Sequence, residues 1–229
     1  MTSAAAIVVP AATRHTATFI FLHGLGDSGA GWSSVSENFR LRRKFDECCF
    51  IFPHAPMIPV TLNMGMRMPG WFNIVSLTDI QAAEDEAGIL GSSGKIQAII
   101  QEQIDKGISS ERIILGGFSQ GGALALVAGL TSKHKLGGIV GLSTWLPLNQ
   151  KIESLASEEN KETDIFQAHG EIDRVVQYRW GERTREILRD RLGHNVEWHS
   201  YPRLDHSADP QEIADMEMWL HTKLPPTSS

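Results

Sequence analysis

Cysteine is scarce in this chain: two residues in 229, Cys48 and Cys49, side by side at the head of an apolar run. Neighbours in a strand point to opposite faces, which disfavours a mutual disulfide. Two buried thiols in a reducing compartment fit better. Basic charge is also short, with 21 Lys and Arg against 27 Asp and Glu, a formal net charge of −6. That argues against nucleic-acid binding, because neutralising phosphates needs a basic surface. The one dense positive run, Arg40-Leu41-Arg42-Arg43-Lys44, reads as a solvated helix end. No apolar run approaches the ~20 residues of a membrane span. The short stretch Ala4–Val9 lacks a basic lead and stops at Pro10, so it makes no signal peptide. Met1-Thr2 excludes N-myristoylation. Spacings of Cys or His that suit a metal are missing, and no internal repeat occurs. These absences predict a soluble protein of the cytoplasm, or of cytoplasm and nucleus, without metal or cofactor.

What is present is an ordinary globular balance, 41% apolar and 21% charged. Apolar runs of strand type at 17–22, 48–52, 112–115, 136–142, 164–168 and 196–201 alternate with helical patterns near 32–39, 84–106, 121–132, 178–192 and 209–224. Such alternation predicts an α/β fold with a mostly parallel sheet and helices on both faces. We expect one domain over 17–224, an N-terminal extension over 1–16 and a tail at 225–229. Residues 57–75 read as a long irregular loop that is too apolar to be a linker. Gly88, Gly91 and Gly94 fall on one helix face and suggest a close backbone approach.

The most informative stretch is Ile113-Ile114-Leu115-Gly116-Gly117-Phe118-Ser119-Gln120-Gly121-Gly122-Ala123. An apolar strand runs into Gly-x-Ser-x-Gly and an Ala/Leu-rich helix leaves it, the strand–turn–helix setting of a nucleophile elbow. A serine hydroxyl needs a base and an orienting acid before it attacks. Of the histidines beyond Ser119, only His206 lies in a loop between the last strand and the last helix, where an α/β-hydrolase carries its base. Asp173, shortly after the strand ending at Ala168, is the expected acid, with Glu171 its nearest rival. Asp205 is adjacent to His206, and one turn rarely aims neighbouring side chains at each other.

Backbone N–H groups must hold the oxyanion. Gln120 follows the nucleophile, and Leu25 sits in the loop His23-Gly24-Leu25-Gly26 after the 17–22 strand; His23 is expected to shape that loop. The same loop matches Gly-x-Gly-x-x-Gly at Gly24, Gly26 and Gly29. The acid of a dinucleotide site belongs at the C-terminal end of the next strand, where Pro53 and His54 stand, so that reading fails. Gly91-Ser92-Ser93-Gly94-Lys95 is no phosphate loop either, since Ile occupies 89 and 96. Met64, Met66, Met68, Trp71, Phe72 and Leu77, with Trp145, are expected to form an acyl groove, because flexible thioethers suit a long chain. The competing reading makes some of them ordinary core.

Taken together, the chain resembles the acyl-protein thioesterase family of lysophospholipase- and carboxylesterase-like α/β-hydrolases. The matching pieces are Phe21–Asp27, Pro53-His54-Ala55-Pro56, Met68-Pro69-Gly70-Trp71-Phe72, Arg112–Ala123, Leu142–Pro147, His169-Gly170 with Asp173, and His206. The resemblance implies hydrolysis of thioesters that hold palmitoyl-type chains on protein cysteines, and of lysophospholipid or other esters. S-acylated proteins would be its substrates. The chain departs from the family pattern at Glu171, Arg174 and Gln177, where Asp and two Pro are common, and at Arg203, where Gly is usual. A carboxylesterase for small esters and a hydrolase-fold receptor are the alternatives.

Overall fold

The structure, a computed structural model, describes residues 6–77 and 83–227. Its elements follow in chain order: β1 Ile7–Val9, β2 Ala17–Leu22, α1 Gly29–Leu41, β3 Cys48–Phe52, β4 Met57–Val60, β5 Met66–Pro69 and α2 Glu86–Asp105. Then come β6 Ile113–Phe118, α3 Gln120–Leu130, β7 Gly138–Leu142, the short α4 Ile152–Leu155, β8 Ile165–Gly170, α5 Tyr178–Glu186, β9 Val196–Tyr201 and α6 Pro210–Lys223. Seven strands form one sheet in the order β1-β3-β2-β6-β7-β8-β9. All of its pairs are parallel except β1 with β3.

Strands of such a sheet are covered on both faces, so their residues are apolar throughout and divide by alternation. Ile20, Leu22, Cys49 and Ile51 join a core with Ile89, Ile96 and Ile100 of α2 and the apolar side chains of α3. Phe19, Phe21, Cys48 and Phe50 join a second core with Phe39 of α1 and Met216, Trp219 and Leu220 of α6. The two cysteines thus face opposite cores, both buried and unbridged. All eleven residues of α3 are buried, as its all-round apolar sequence requires, and it packs on β6, β7 and α2. The Asp85 carboxylate caps α2 by accepting from Gly88 N–H at 2.9 Å. Pro210 starts α6 behind the Asp209 cap.

Four expectations need correction. Residues 57–75 are not irregular: β4 and β5 pair as an antiparallel hairpin, with Ile58 opposite Met68 and Val60 opposite Met66. The stretch expected as an extension supplies edge strand β1, because Ile7 to Val9 find the free edge of β3. The α2 glycines permit no close backbone approach: a Cβ on Gly91 or Gly94 meets open space, and one on Gly88 meets only the capping Asp85 carboxylate. Finally, Arg40 is no solvated helix end. It donates to the carbonyls of Pro10, Phe45 and Cys48, and Arg42 pairs with Glu217 of α6.

Candidate active site

Ser119 stands between β6 and α3 with φ 53° and ψ −123°, a backbone region that costs a non-glycine residue about 1–3 kcal/mol and persists only when its surroundings enforce it. Here they do. Ser119 N–H donates to Leu142 O at 2.9 Å, and Thr144 Oγ1 donates to Ser119 O at 2.7 Å. Gly117 and Gly121 let the turn close: a Cβ on Gly117 would lie 2.4 Å from the Gly121 carbonyl carbon, and one on Gly121 would lie 2.2 Å from Leu22 O.

The loop after β9 brings His206 Nε2 to 2.9 Å from Ser119 Oγ, and His206 Nδ1 lies 2.7 Å from Asp173 Oδ2. With Nδ1–H donating to the carboxylate, Nε2 is left to accept the serine proton, the tautomer this network assigns. Asp173 sits in the turn beyond β8, where its Oδ1 accepts from Val175 and Val176 N–H at 2.8 and 2.9 Å. The imidazole also lies over the Phe118 ring, 4.8 Å between centroids. The rivals are engaged elsewhere. Glu171 accepts from Ser200 Oγ and Asp205 from Ser207 Oγ, while His134, His194, His199 and His221 contact Gln101, Thr163, Glu197 and Phe45.

Behind Asp173 stands His169, which in the sequence is one of the histidines beyond Ser119 and part of a matching motif, with no role of its own. His169 is fully buried, donates from Nε2 to Val176 O at 2.8 Å, and holds the same nitrogen 3.5 Å from Asp173 Oδ2. Burial pushes its pKa below the usual histidine value. Its ring packs on Gly181, where a Cβ would come within 2.4 Å of Nδ1. A histidine inside a buried strand end is the signal that could have marked it.

Opposite the elbow, the loop after β2 leans on Ser119: a Cβ on Gly24 would sit 3.4 Å from the Ser119 Cβ. Gln120 opens α3, so its N–H has no partner one turn back. Neither Gln120 N–H nor Leu25 N–H donates to another backbone group among the described residues. His23 is buried with both nitrogens used, Nδ1–H donating to Gly24 O at 2.7 Å and Nε2 accepting from Ala55 N–H at 3.0 Å. It shapes the loop.

Trp71 and Phe72 support this loop from behind. The Gln120 side-chain amide accepts from Trp71 N–H at 2.9 Å and donates to Phe72 O at 2.7 Å. Trp71 Nε1–H donates to His23 O at 2.8 Å, and Gly26 N–H donates to Pro69 O at 2.8 Å.

A cleft of about 960 Å³ opens over Ser119 and His206. Of the residues expected in an acyl groove, Leu77 and Trp145 line it, together with Leu25 and with Ile74 and Val175, which were not anticipated. Met64, Met66, Met68, Trp71 and Phe72 do not. Met64 is 98% exposed at the hairpin tip and Met66 is 62% exposed, because pairing of β4 with β5 holds them off the domain. The Met68 sulfur is in contact with Asn63 Nδ2 at 3.1 Å, while Trp71 and Phe72 are buried core. No group of three or more His, Cys, Asp or Glu among the described residues could hold a metal ion.

The sequence pattern of the phospholipase/carboxylesterase family matches residues 3–224. The chain belongs to the phospholipase/carboxylesterase family. Acyl-protein thioesterase 1 of Gibberella zeae is 50% identical over 228 residues, 97% of either chain. The protein of that name from Neurospora crassa is 50% identical over 225 residues, covering 96% of this chain and 91% of its own. Among solved structures, Arabidopsis thaliana SOBER1 superposes with a TM-score of 0.86 at 34% identity, over 91% of this chain and 99% of its own. Zea mays acyl-protein thioesterase 2 does so with 0.86 at 30%, over 96% and 99%. This member of the phospholipase/carboxylesterase family therefore has the α/β-hydrolase fold. Its departures at Glu171, Arg174 and Arg203 are exposed and Gln177 is half-buried; among the described residues none of these side chains hydrogen-bonds to Ser119, His206 or the Asp173 carboxylate.

Proposed function

We propose that the protein is a serine hydrolase that removes long-chain, palmitoyl-type acyl groups from protein cysteines by thioester hydrolysis, with activity on lysophospholipid or other carboxylic esters. The hydrogen-bonded series Ser119 Oγ, His206, Asp173 carries this reading. The names of the relatives supply the thioester, and the apolar lining at Leu25, Ile74, Leu77, Trp145 and Val175 supports the long chain.

Ser119 Oγ attacks the acyl carbonyl as its proton passes to His206 Nε2, and Asp173 stabilises the imidazolium. Leu25 and Gln120 N–H receive the oxyanion. When the intermediate collapses, the C–S bond breaks and the sulfur takes the proton from Nε2, leaving an acyl ester on Ser119. A water then attacks, giving its proton to the same nitrogen, and the fatty acid leaves as Oγ is reprotonated.

The test is a series of acetyl, octanoyl and palmitoyl thioesters followed by thiol release. Each methylene taken against the apolar lining of the cleft is worth about 0.8 kcal/mol, so kcat/KM should rise with length until that part of the cleft is full. A flat series would remove the acyl groove from the account. Absence of turnover on every thioester would remove the function, leaving the carboxylesterase reading if small esters still turn over and the receptor reading if they do not.

A further inference from the structure

The lining of the cleft over Ser119 divides into two arms, one on each side of the sheet, by the core with which each residue packs. Leu25, Ile74, Leu77 and Trp145 line one and pack with the core under α2 and α3. Trp32, Val35 and Ile213 line the other and pack with the core under α1 and α6. The first arm is apolar throughout. The second runs between α1 and α6 and carries polar groups, Asp27, Asn38 and Asp209 among them.

His206 belongs to the second side. Its ring rests on Phe118, which rests on Trp32 of α1 at 5.2 Å, and the chain from Ser207 to Pro210 runs from it along that arm into α6. The leaving sulfur must take its proton from His206 Nε2, so it departs toward this side while the acyl chain stays on the other. A tetrahedral centre on Ser119 sends its two substituents apart, one into each arm.

We propose that the α1–α6 arm is the leaving-group subsite, that it holds the polypeptide flanking the acylated cysteine, and that it favours flanks carrying Lys or Arg. This rests on the thioesterase reading above. The charge preference follows from what lines the arm. Its carboxylates are Asp27 and Asp209, whereas its cation, Arg42, is already paired with Glu217. Asp209 spends one oxygen on the N–H groups of Gln211 and Glu212 and keeps the other for a ligand. Among the described residues neither carboxylate has a salt-bridge partner, so a basic flank meets negative charge there that no cationic side chain answers, and an acidic flank is repelled.

The test uses two octanoyl-cysteinyl peptides of one length, flanked by Lys in one and by Glu in the other, with p-nitrophenyl octanoate as a substrate lacking a flank. Two partly exposed charges should favour the Lys peptide by about tenfold in kcat/KM at low ionic strength, and salt should shrink that ratio. The double variant Asp27→Asn/Asp209→Asn, which keeps a capping side chain at 209, should bring the two peptides level. Ala214→Trp, placed to fill the arm from α6, should lower peptide turnover about tenfold more than turnover of the small ester. Equal rates for both peptides in the parent enzyme, or a ratio unchanged in the double variant, would overturn the subsite. Loss of thioester hydrolysis altogether, with ester hydrolysis intact, would instead overturn the thioesterase reading on which it stands.

Discussion

Two apolar stretches approach Ser119 from opposite sides, and they take their shape from different causes. Residues 113–130 carry their instructions locally. An apolar strand meets two glycines that alone fit the turn, and a helix that is apolar all round can only be buried. Residues 57–77 are as apolar, yet their neighbours in sequence leave their fate open. Half of them turn back on each other as a hairpin whose tip, Met64, faces solvent. The next few residues, from Trp71 to Ile74, are held by partners outside their own stretch or a dozen residues away. The Gln120 amide takes Trp71 and Phe72, Asp85 accepts from Asn73 N–H, and Leu62 N–H donates to Ile74 O. One stretch carries Ser119 and the other steadies the loop that faces it.

Substitutions can break this contrast or sharpen it. The largest effect belongs to the elbow side. Asp173→Asn should keep the fold and lower kcat by about 10⁴, because an amide no longer holds the imidazole in its working tautomer; steady-state rates beside an unchanged circular dichroism spectrum check it. On the other side, Trp71→Phe removes the donor to His23 O. Displacing the loop proposed to hold the oxyanion by a fraction of an ångström should cost about tenfold to a hundredfold in kcat with little change in KM. If KM rose and kcat held, Trp71 would be a substrate contact and the contrast would fail.

His169 gives an intermediate case. His169→Leu strips Val176 O of its donor and Asp173 of a nearby N–H, so stability should fall by about 1–3 kcal/mol. kcat should also fall, by about tenfold, as the Asp173 carboxylate loses part of its support and holds His206 less firmly. His169→Gln, which can still donate, should restore much of both; a Tm loss with an unmoved kcat would leave His169 a packing residue only. The smallest effect is reserved for the hairpin tip. Met64→Ser should change stability by no more than about 0.5 kcal/mol and leave acyl-length preference alone, whereas Leu77→Ala should weaken the preference for long chains.

Why some of this was legible in the sequence follows from the same contrast. Strand and helix order came through because the buried strands are short apolar runs bounded by turn residues, and the helices between them are longer runs of helical spacing. Ser119, Asp173 and His206 could be picked out because each lies past the end of a strand, a position that chain order alone reveals. The methionines misled because thioethers are equally at home in a groove, in a core or on an exposed hairpin, and only pairing between β4 and β5 decides among them. Edge strand β1 was missed because three residues carry no periodicity. Ile74 and Val175 escaped notice for another reason: their place in the cleft depends on contacts between segments some hundred residues apart, which no local pattern records.

The account's central claim is that Ser119 carries the acyl group during turnover. Acid-quenched mass spectrometry of the enzyme, taken while it consumes a palmitoyl thioester, tests it most directly. The account predicts an added palmitoyl mass on the peptide that contains Ser119, absent from the Ser119→Ala variant, which should lose about 10⁶ in kcat. An acyl group found on another side chain, or a Ser119→Ala enzyme that still releases thiol at the parent rate, would contradict it.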